Sequence, residues 1–391
     1  MIDSISIAQT GLQGFQDGLR TIANNTANLN TPGFKGASTQ FADMFYGGSS
    51  SGGSWRFGQC GYGVNTLGTS LNFKQGQLQS TDNALDLAID GKGFFTLRDS
   101  SGNIHYSKDG QFKFNSDGVL ISSTTGEEVL ALDGGALTNI SLTNLRTNPA
   151  KATSTITFTG NLSSSATTNT ISNVTVIDSA GSSHSLSLVF TPVSGSSNTW
   201  TVALMDGTTS VGSGTIAFSG GQPVSGSNSV AVTYTPTGGT AVALTLDFSS
   251  NVTSYDSGSS SSLAVASQNG YSAGTLTKET FDGTGTLVLT YSNGQTVKSK
   301  QLALGQFRSE EDVESVGNNE FGVKNGHAWQ VGVASTGEFG AIQSGEVEMS
   351  NVDLSKEFSS LVIMQRGYQA CSQVVSTASE MLTSLYGMSK G

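Results

Sequence analysis

The side chains that most often perform chemistry are few in this chain and share no recognisable spacing. The three histidines, His105, His184 and His327, have no second metal ligand or nucleophile at a motif distance. A lone histidine is usually structural, and we interpret all three in that way. The two cysteines, Cys60 and Cys371, fit no metal-binding or redox motif and form no disulfide framework. These residues therefore point to no enzyme chemistry.

Three short segments imitate functional motifs without their structural context. Residues 48–52, Gly-Ser-Ser-Ser-Gly, fit a nucleophile elbow but lie in a Gly/Ser tract with no strand and helix around them. The turn at residues 90–93 lacks the spacing of a phosphate loop, and we predict that it joins strands 85–90 and 94–97 as a hairpin. The acidic run at residues 310–314 is typical of a solvated loop. The sequence predicts no catalytic residue, no cofactor and no metal site, and hence a protein that is not an enzyme.

Composition and charge narrow the possible classes of protein further. The chain has 391 residues, which is enough for two or three globular units. Only 12% of the residues are charged and 50 are glycine, a balance typical of a body built from strands and turns. A net charge of −11 with only 18 lysines and arginines predicts that no nucleic acid is bound. We find no apolar run of about 20 residues for membrane insertion and no cleavable secretory signal.

Both ends of the chain carry an apolar stripe with alternating steps of three and four residues, the spacing of one helix face. The first helix is predicted from about Ser4 to Asn28 and the second from about Val352 to Tyr386, with Ser350-Asn351 as its cap. Such stripes usually pack on the core of their own domain. Because these two are terminal and mirrored, we predict that they form an assembly interface: Ile5, Ala8, Leu12, Phe15, Leu19, Ile22, Leu361, Met364, Tyr368, Cys371, Val375, Ala378, Leu382 and Leu385.

The segment between the helices is predicted to be mostly β. Strand patterns recur between glycine turns, and a Ser/Thr-rich stretch interrupts them. The predicted fold class is α+β, mostly β, with terminal helices in a coiled-coil-like pair and two mainly antiparallel β-domains, the second inserted into the first. The predicted parts are a helical assembly domain (1–30 and 350–391), a connector (31–76), a split inner β-domain (77–148 and 264–349) and an inserted outer β-domain (149–263).

The two ends also carry motifs that resemble those of the flagellar axial proteins, the rod and hook family. The first is the run from Gly11 to Lys35, and the second comprises Ser350 to Phe358 and Gln365 to Ala370. Within the family the chain is most similar to hook subunits, in residues 41–45, 176–181 and 268–271. The motif residues that we single out are Asn24, Asn25, Asn28, Gly33, Phe34, Ser350, Asn351, Val352, Asp353, Leu354, Gln365 and Arg366.

The resemblance implies a structural subunit of the bacterial flagellar hook. Such a subunit would be exported by the flagellar type III apparatus without a cleaved signal peptide and would polymerise outside the cell into a short curved tube. The tube would act as a universal joint between rod and filament. The implied partners are many copies of the same chain, the distal rod protein, the hook cap protein and the hook–filament junction protein.

Several alternatives stay open at this stage. A distal rod or other axial subunit would share the terminal motifs, and a secreted β-rich adhesin would share the composition of the body. The polar cluster at the end of the first helix either makes only local side-chain to backbone bonds or, as the family motif favours, also fixes the angle of the connector: Asn24, Asn25, Asn28 and Asn30. Arg366 and Asp353 either pair across the helices or face solvent.

Overall fold

A computed structural model describes residues 2–44, 46–47, 60–196, 198–309, 312–324 and 329–388. The predictions for residues 48–52, His327, Glu310 and Glu311 lie outside these residues, as does the side chain of Cys60. The chain forms two compact units. The first comprises residues 1–143, 279–288 and 298–391, and the second comprises residues 144–278 and 289–297.

Two long helices occupy the ends of the first unit. Helix α1 spans Ile2–Ala27 and helix α2 spans Leu354–Met388, each close to its predicted bounds. The predicted cap of α2 is wrong by two residues. Asp353 caps the helix, because its Oδ1 accepts hydrogen bonds from the backbone N–H groups of Ser355 (2.9 Å) and Lys356 (3.2 Å). Asn351 instead bonds to the connector through its side chain.

The first unit is built mainly from antiparallel strands. A ten-stranded sheet has the order β28-β29-β8-β7-β11-β10-β9, with β12 beside β11 and with β27 pairing both β7 and β30. Four two-stranded pairs join β1 to β4, β2 to β3, β6 to β31 and β5 to β32. The strands before the second unit are β1 (Ala37–Asp43), β2 (Tyr46–Gly47), β3 (Cys60–Gly61), β4 (Val64–Leu71), β5 (Leu78–Ser80), β6 (Leu87–Asp90), β7 (Phe94–Arg98), β8 (Ile104–Ser107), β9 (Phe112–Phe114), β10 (Leu120–Ser122), β11 (Glu128–Asp133) and β12 (Ala136–Asn139). The strands that complete the first unit are β27 (Ala303–Gln306), β28 (Val313–Gly317), β29 (Glu320–Val323), β30 (Gln330–Val333), β31 (Ala341–Ser344) and β32 (Glu346–Glu348).

The predicted hairpin at residues 90–93 is wrong in its pairing, although both strands exist. Strand β6 pairs with β31, whereas β7 pairs with β8, β11 and β27. The reason lies in the segment that returns from the second unit. Gly340 donates its backbone N–H to Lys92 O at 2.8 Å and packs on Gly91, which leads β31 onto the edge of β6.

The second unit has a β core of its own. One five-stranded sheet is antiparallel, β15-β16-β17-β18-β19, and the other is mixed, because β14 runs parallel to β21 and β22. Trp200, Phe158, Phe190 and Phe248 are fully buried at its centre. A further sheet has the order β13-β24-β25-β26. The strands that lie wholly in this unit are β13 (Thr147–Asn148), β14 (Thr155–Asn161), β15 (Asn169–Ile177), β16 (Ser183–Pro192), β17 (Thr199–Asp206), β18 (Thr209–Ser219), β19 (Gln222–Pro223), β20 (Ser229–Tyr234), β21 (Val242–Asp247), β22 (Val252–Thr253) and β23 (Ala264–Gln268). Strands β24 (Gly274–Phe281), β25 (Thr286–Tyr291) and β26 (Thr296–Gln301) each have residues in both units. The architecture confirms the predicted fold class.

A buried ion network joins the segments that lead to the two helices. The Glu348 side chain is fully buried, and its Oε1 lies 2.5 Å from Lys35 Nζ and 2.8 Å from the backbone N of Gly76. Its Oε2 lies 3.3 Å from Lys108 Nζ. Lys35 Nζ also donates to Lys74 O at 2.9 Å. Two cations thus share one carboxylate in the interior, where breaking an ion pair leaves an uncompensated charge.

We expect Glu348→Gln to lower the free energy of unfolding by about 3–5 kcal/mol, since two ammonium groups would lose their buried anion. The matched control is Glu338→Gln, because Glu338 also contacts a lysine, Lys92 at 2.9 Å, but both side chains are mostly exposed. That control should lose less than about 1 kcal/mol. Urea unfolding of the monomer, followed by circular dichroism, measures both, and equal losses would contradict the assigned role of Glu348.

Stability should also depend on pH through Lys108. Burial lowers the pKa of Lys108 from 10.5 to about 8, against the raising effect of Glu348. Between these two values the unfolded chain binds more protons than the folded one, so this group makes stability rise with pH from about 8 to about 10.5. Lys108→Met should flatten that rise, whereas Lys298→Met, at an exposed lysine, should leave it unchanged. Urea unfolding of both variants across this pH range measures the change in stability, and an unchanged rise in Lys108→Met would contradict the prediction.

Candidate assembly interface

The two terminal helices pack against each other in antiparallel orientation. Gly11 of α1 faces Cys371 of α2, and Gly18, about two turns further along α1, faces Met364. Residue numbers therefore increase along one helix as they decrease along the other. The helices approach closely because glycine leaves room. A Cβ atom on Gly11 would lie 2.8 Å from Cys371 Sγ, and one on Gly367 would lie 2.4 Å from the Phe15 ring.

The predicted stripes lie along this seam to different depths. Ala8, Ile22 and Ala378 are buried. Tyr368 and Leu385 are exposed, with 41% and 52% of their surface accessible. The remaining predicted residues are half-buried: Ile5, Leu12, Phe15, Leu19, Leu361, Met364, Cys371, Val375 and Leu382. Partial exposure is what two helices alone can provide, since each covers only one side of its partner's stripe.

Sequence reasoning missed the glycines that set the distance between the helices. Gly11, Gly14 and Gly18 are buried and follow the same steps of three and four as the apolar stripe. A Cβ on Gly14 would lie 3.1 Å from the ring of Phe41 on β1, which packs on the other flank of α1. The spacing of these glycines was visible in the sequence, and small residues at helical intervals are the signal that indicates close packing.

Asn25 connects α1 with both the connector and α2. It is almost fully buried, and its side chain pairs with the backbone of Ala37, accepting from N at 3.0 Å and donating to O at 2.8 Å. The same Nδ2 also donates to Glu357 Oε1 on α2 at 3.1 Å. Asn24 and Asn28 behave differently, because Asn28 Nδ2 donates to Asn24 O within the last turn of α1, at 2.9 Å. One asparagine is therefore a bridge and the other two make local bonds.

Asn351 makes the matching bridge at the base of α2. Its Oδ1 accepts from Gly36 N at 2.8 Å, and its Nδ2 donates to Asn72 O at 2.6 Å and to Lys74 O at 2.9 Å. These bonds explain why Asn351 does not cap the helix.

Gly33 has φ +71°, and a Cβ there would lie 2.5 Å from the backbone N of Asp109, so only glycine fits.

The other motif residues are half-buried or exposed and make fewer hydrogen bonds among the described residues. Phe34 and Val352 are half-buried, and Ser350 Oγ accepts from Val352 N at 3.4 Å. Leu354, Gln365 and Arg366 are exposed. Within the described residues Arg366 makes no ion pair, and Asp353 is occupied in capping.

A second apolar stripe runs along α2 beside the buried one. Its members are separated by seven, four, seven and seven residues and are all exposed: Ile363, Ala370, Val374, Met381 and Met388. Between this stripe and the start of α1 lies a groove of about 480 Å³ lined by Ser4, Ala370, Val374, Ala378 and Met381, among others. Exposed apolar surface of this extent on a helix is typical of a protein–protein interface.

No helix among the described residues combines the length and apolar character needed to cross a membrane. The described residues that could hold a metal come together at one point, His105 with Glu127 and Glu320.

Comparison with known families finds matches along most of the chain. The matching descriptions are "Flagella basal body rod protein" at residues 5–35, "Flagellar hook protein FlgE/F/G D1 domain" at 88–171, "Flagellar basal body protein FlaE D2 domain" at 157–271 and "Flagellar basal body rod FlgEFG protein C-terminal" at 343–388.

Individual relatives give the same result over the full length. The chain is 32% identical to the flagellar hook protein FlgE of Escherichia coli, covering 98% of this chain and 100% of that one. It is 27% identical to that of Borreliella burgdorferi, covering 98% and 99%. A crystal structure of a Helicobacter pylori flagellar hook protein matches in fold, with a TM-score of 0.51 at 13% identity over 69% of this chain and all of that one.

The close contact between Gly11 and Cys371 yields a double-mutant test. Gly11→Ala alone should destabilise the helix pair by about 1–3 kcal/mol, because its Cβ meets Cys371 Sγ at 2.8 Å. Adding Cys371→Ala should recover most of that loss, since the remaining Cβ distance of 3.9 Å is an ordinary contact. Gly387→Ala on α2, which meets no atom within 4 Å, is the control and should not destabilise. Thermal unfolding of the monomer measures the coupling, and strictly additive effects would refute the contact.

Proposed function

This chain belongs to the flagellar hook protein family and is a structural subunit of the bacterial flagellar hook; on that premise, we propose that its paired terminal helices carry the contacts that build the polymer. The observation that supports this most directly is the second apolar stripe of α2. It is exposed in the single chain and continues the buried seam between α1 and α2, so a neighbouring helix pair can extend the same packing.

The occupant of the groove, in this proposal, is another copy of the chain. The second stripe lies directly beside a seam that already joins two helices of this sequence. The groove is lined by the small or flexible apolar side chains of Ala370, Val374, Ala378 and Met381 together with Ser4, Gln373 and Thr377. The opposite face of α2 is polar, with Ser372, Ser376, Ser379 and Glu380. One face of the helix is therefore suited to burial in an assembly, and the other to water.

We further propose that the parts of the chain divide the mechanical work. The terminal helices (1–30 and 350–391) and the split inner β-domain (77–148 and 264–349) would form the tube wall. The inserted domain (149–263) would make weak outer contacts with neighbouring copies as the tube bends. In support, β20 and β21 bury alternate apolar side chains and expose small or polar ones, a surface suited to wet contacts that break and reform.

The remaining proposals follow from the family. The polymer would be a curved flexible tube that transmits torque from rod to filament as a universal joint, and would contact the distal rod protein, the hook cap protein and the hook–filament junction protein. The subunit would leave the cell through the flagellar type III export apparatus, without a cleaved signal peptide, and would be extracellular in the hook. A structural subunit of this kind would catalyse no reaction.

Electron microscopy of the purified full-length chain beside a variant lacking residues 1–30 and 350–391 tests the role of the ends. Under polymerising conditions, the full chain should form curved tubes and the truncated chain should stay monomeric. Straight rigid rods would favour a rod subunit. If the truncated body polymerised as well as the full chain, the proposal that the helices carry assembly would be lost.

A finer test changes the groove without removing the helices. Val374→Asp places a charge on the exposed apolar stripe, and burying that charge against a neighbouring copy costs several kcal/mol. The concentration needed for tube formation should therefore rise more than about tenfold. The matched control is Ser376→Asp, two residues away on the polar face, which should polymerise as the unaltered chain does. Sedimentation of polymer against monomer measures both, and equal behaviour would exclude this groove as the contact.

A further inference from the structure

Three side chains that are distant in sequence converge in the ten-stranded sheet of the first unit. His105 lies on β8, Glu320 on its neighbour β29, and Glu127 immediately before β11. His105 Nδ1 is 2.9 Å from Glu127 Oε1 and 3.6 Å from Glu320 Oε2. One potential ligand atom from each residue lies within 4.8 Å of the others. In a tetrahedral site with bonds of about 2.0–2.1 Å, ligand atoms are separated by about 3.4 Å, which these two distances bracket.

The cluster is buried and carries more acceptors than donors. Glu320 is only 4% exposed, and its Oε1 has no hydrogen-bond partner among the described residues. Glu127 Oε2 is likewise buried and unpartnered within the part of the chain that the structure describes. A buried carboxylate oxygen without a partner is costly and calls for an explanation.

The charges in this cluster are also unbalanced. Two largely buried carboxylates, those of Glu127 and Glu320, lie 2.9 Å and 3.6 Å from a single imidazole. A divalent cation would supply the charge that the protein itself does not.

We propose that His105, Glu127 and Glu320 form a binding site for a divalent transition-metal ion of the Zn²⁺ class. One nitrogen and two carboxylate oxygens suit such an ion, whereas Ca²⁺ and Mg²⁺ prefer sites made of oxygen alone. Water would complete the coordination, and one of the three ligands, Glu127, also lines a neighbouring cavity of about 560 Å³.

The consequence of this site would be structural. Strand β29 belongs to the segment that returns after the second unit, whereas β8 and Glu127 precede that unit. An ion held between them would cross-link the two halves of the split sheet, and because it binds only the folded site, it would raise the unfolding temperature. Sequence spacing gave no sign of this cluster, since its members are separated by 22 and 193 positions.

Titration of the chelator-treated, full-length monomer with Zn²⁺ in a calorimeter tests the proposal. We expect saturable binding of one ion per chain, a rise in unfolding temperature, and the visible absorption of tetrahedral Co²⁺ when cobalt replaces zinc. Glu320→Gln and His105→Gln should each weaken binding more than about a hundredfold. Glu127→Gln, at a less buried position, serves as a further ligand variant should Glu320→Gln not fold by circular dichroism.

His184→Gln is the matched control. His184 Nε2 lies 2.9 Å from Asp178 Oδ2, so it is also a partly buried histidine beside a carboxylate, but it belongs to no group of three ligands among the described residues. This variant should bind Zn²⁺ like the unaltered chain. Absence of one-to-one binding, or unchanged affinity in His105→Gln, would overturn the proposed site. Either result leaves the role of the terminal helices untouched, because polymer formation is measured separately.

Discussion

The arrangement of both ends of this subunit depends on one buried carboxylate, Glu348. It lies on β32, six residues before α2 begins, and it contacts Lys35, eight residues after α1 ends. Its backbone O also accepts the N–H of Gly33 at 2.7 Å. Because a buried ion pair tolerates little displacement of its members, the chain leaves α1 and enters α2 at fixed points. The interaction therefore acts less as a source of stability than as a constraint on geometry.

The positions of the two helices are fixed further by a few side-chain hydrogen bonds and by close packing. At the base of the helix pair, Asn25 and Asn351 satisfy backbone groups of Gly36 and Ala37 in the connector with their side chains. Asn25 also bonds to Glu357 on α2. Further along α1, glycine replaces side-chain bulk and lets the helices approach. Directional polar bonds thus fix the base of the pair, and close packing brings the helices together beyond it.

Local patterns predicted the elements of this fold well and the partners of those elements poorly. The two helices and strands such as β7 and β17 follow from periodicity, which each residue expresses through its own neighbours in the chain. The pairing of β6 with β31, the capping of α2 by Asp353 and the cluster around His105 depend on residues up to 257 positions apart, as Leu87 and Ser344 are, or on competition for a side chain. Asn351 illustrates the competition for a side chain. Asparagine is a common helix cap, but the side chain of Asn351 bonds to the connector instead. The resemblance to axial proteins, by contrast, was confirmed by full-length relatives.

The two stripes of α2 differ in how far the single chain covers them. The stripe that faces α1 contains the buried Ala378 and half-buried residues such as Met364, so it holds the pair together while leaving some apolar surface uncovered. The neighbouring stripe with Val374 and Met381 is open, and burying it in the monomer would require a third helix that the first unit lacks among its described residues. In the proposed assembly, other chains would remove this surface from water. If copies of this chain supply that cover, each added subunit buries surface on itself and on its neighbours together, and the helical ends become fully ordered only within the polymer.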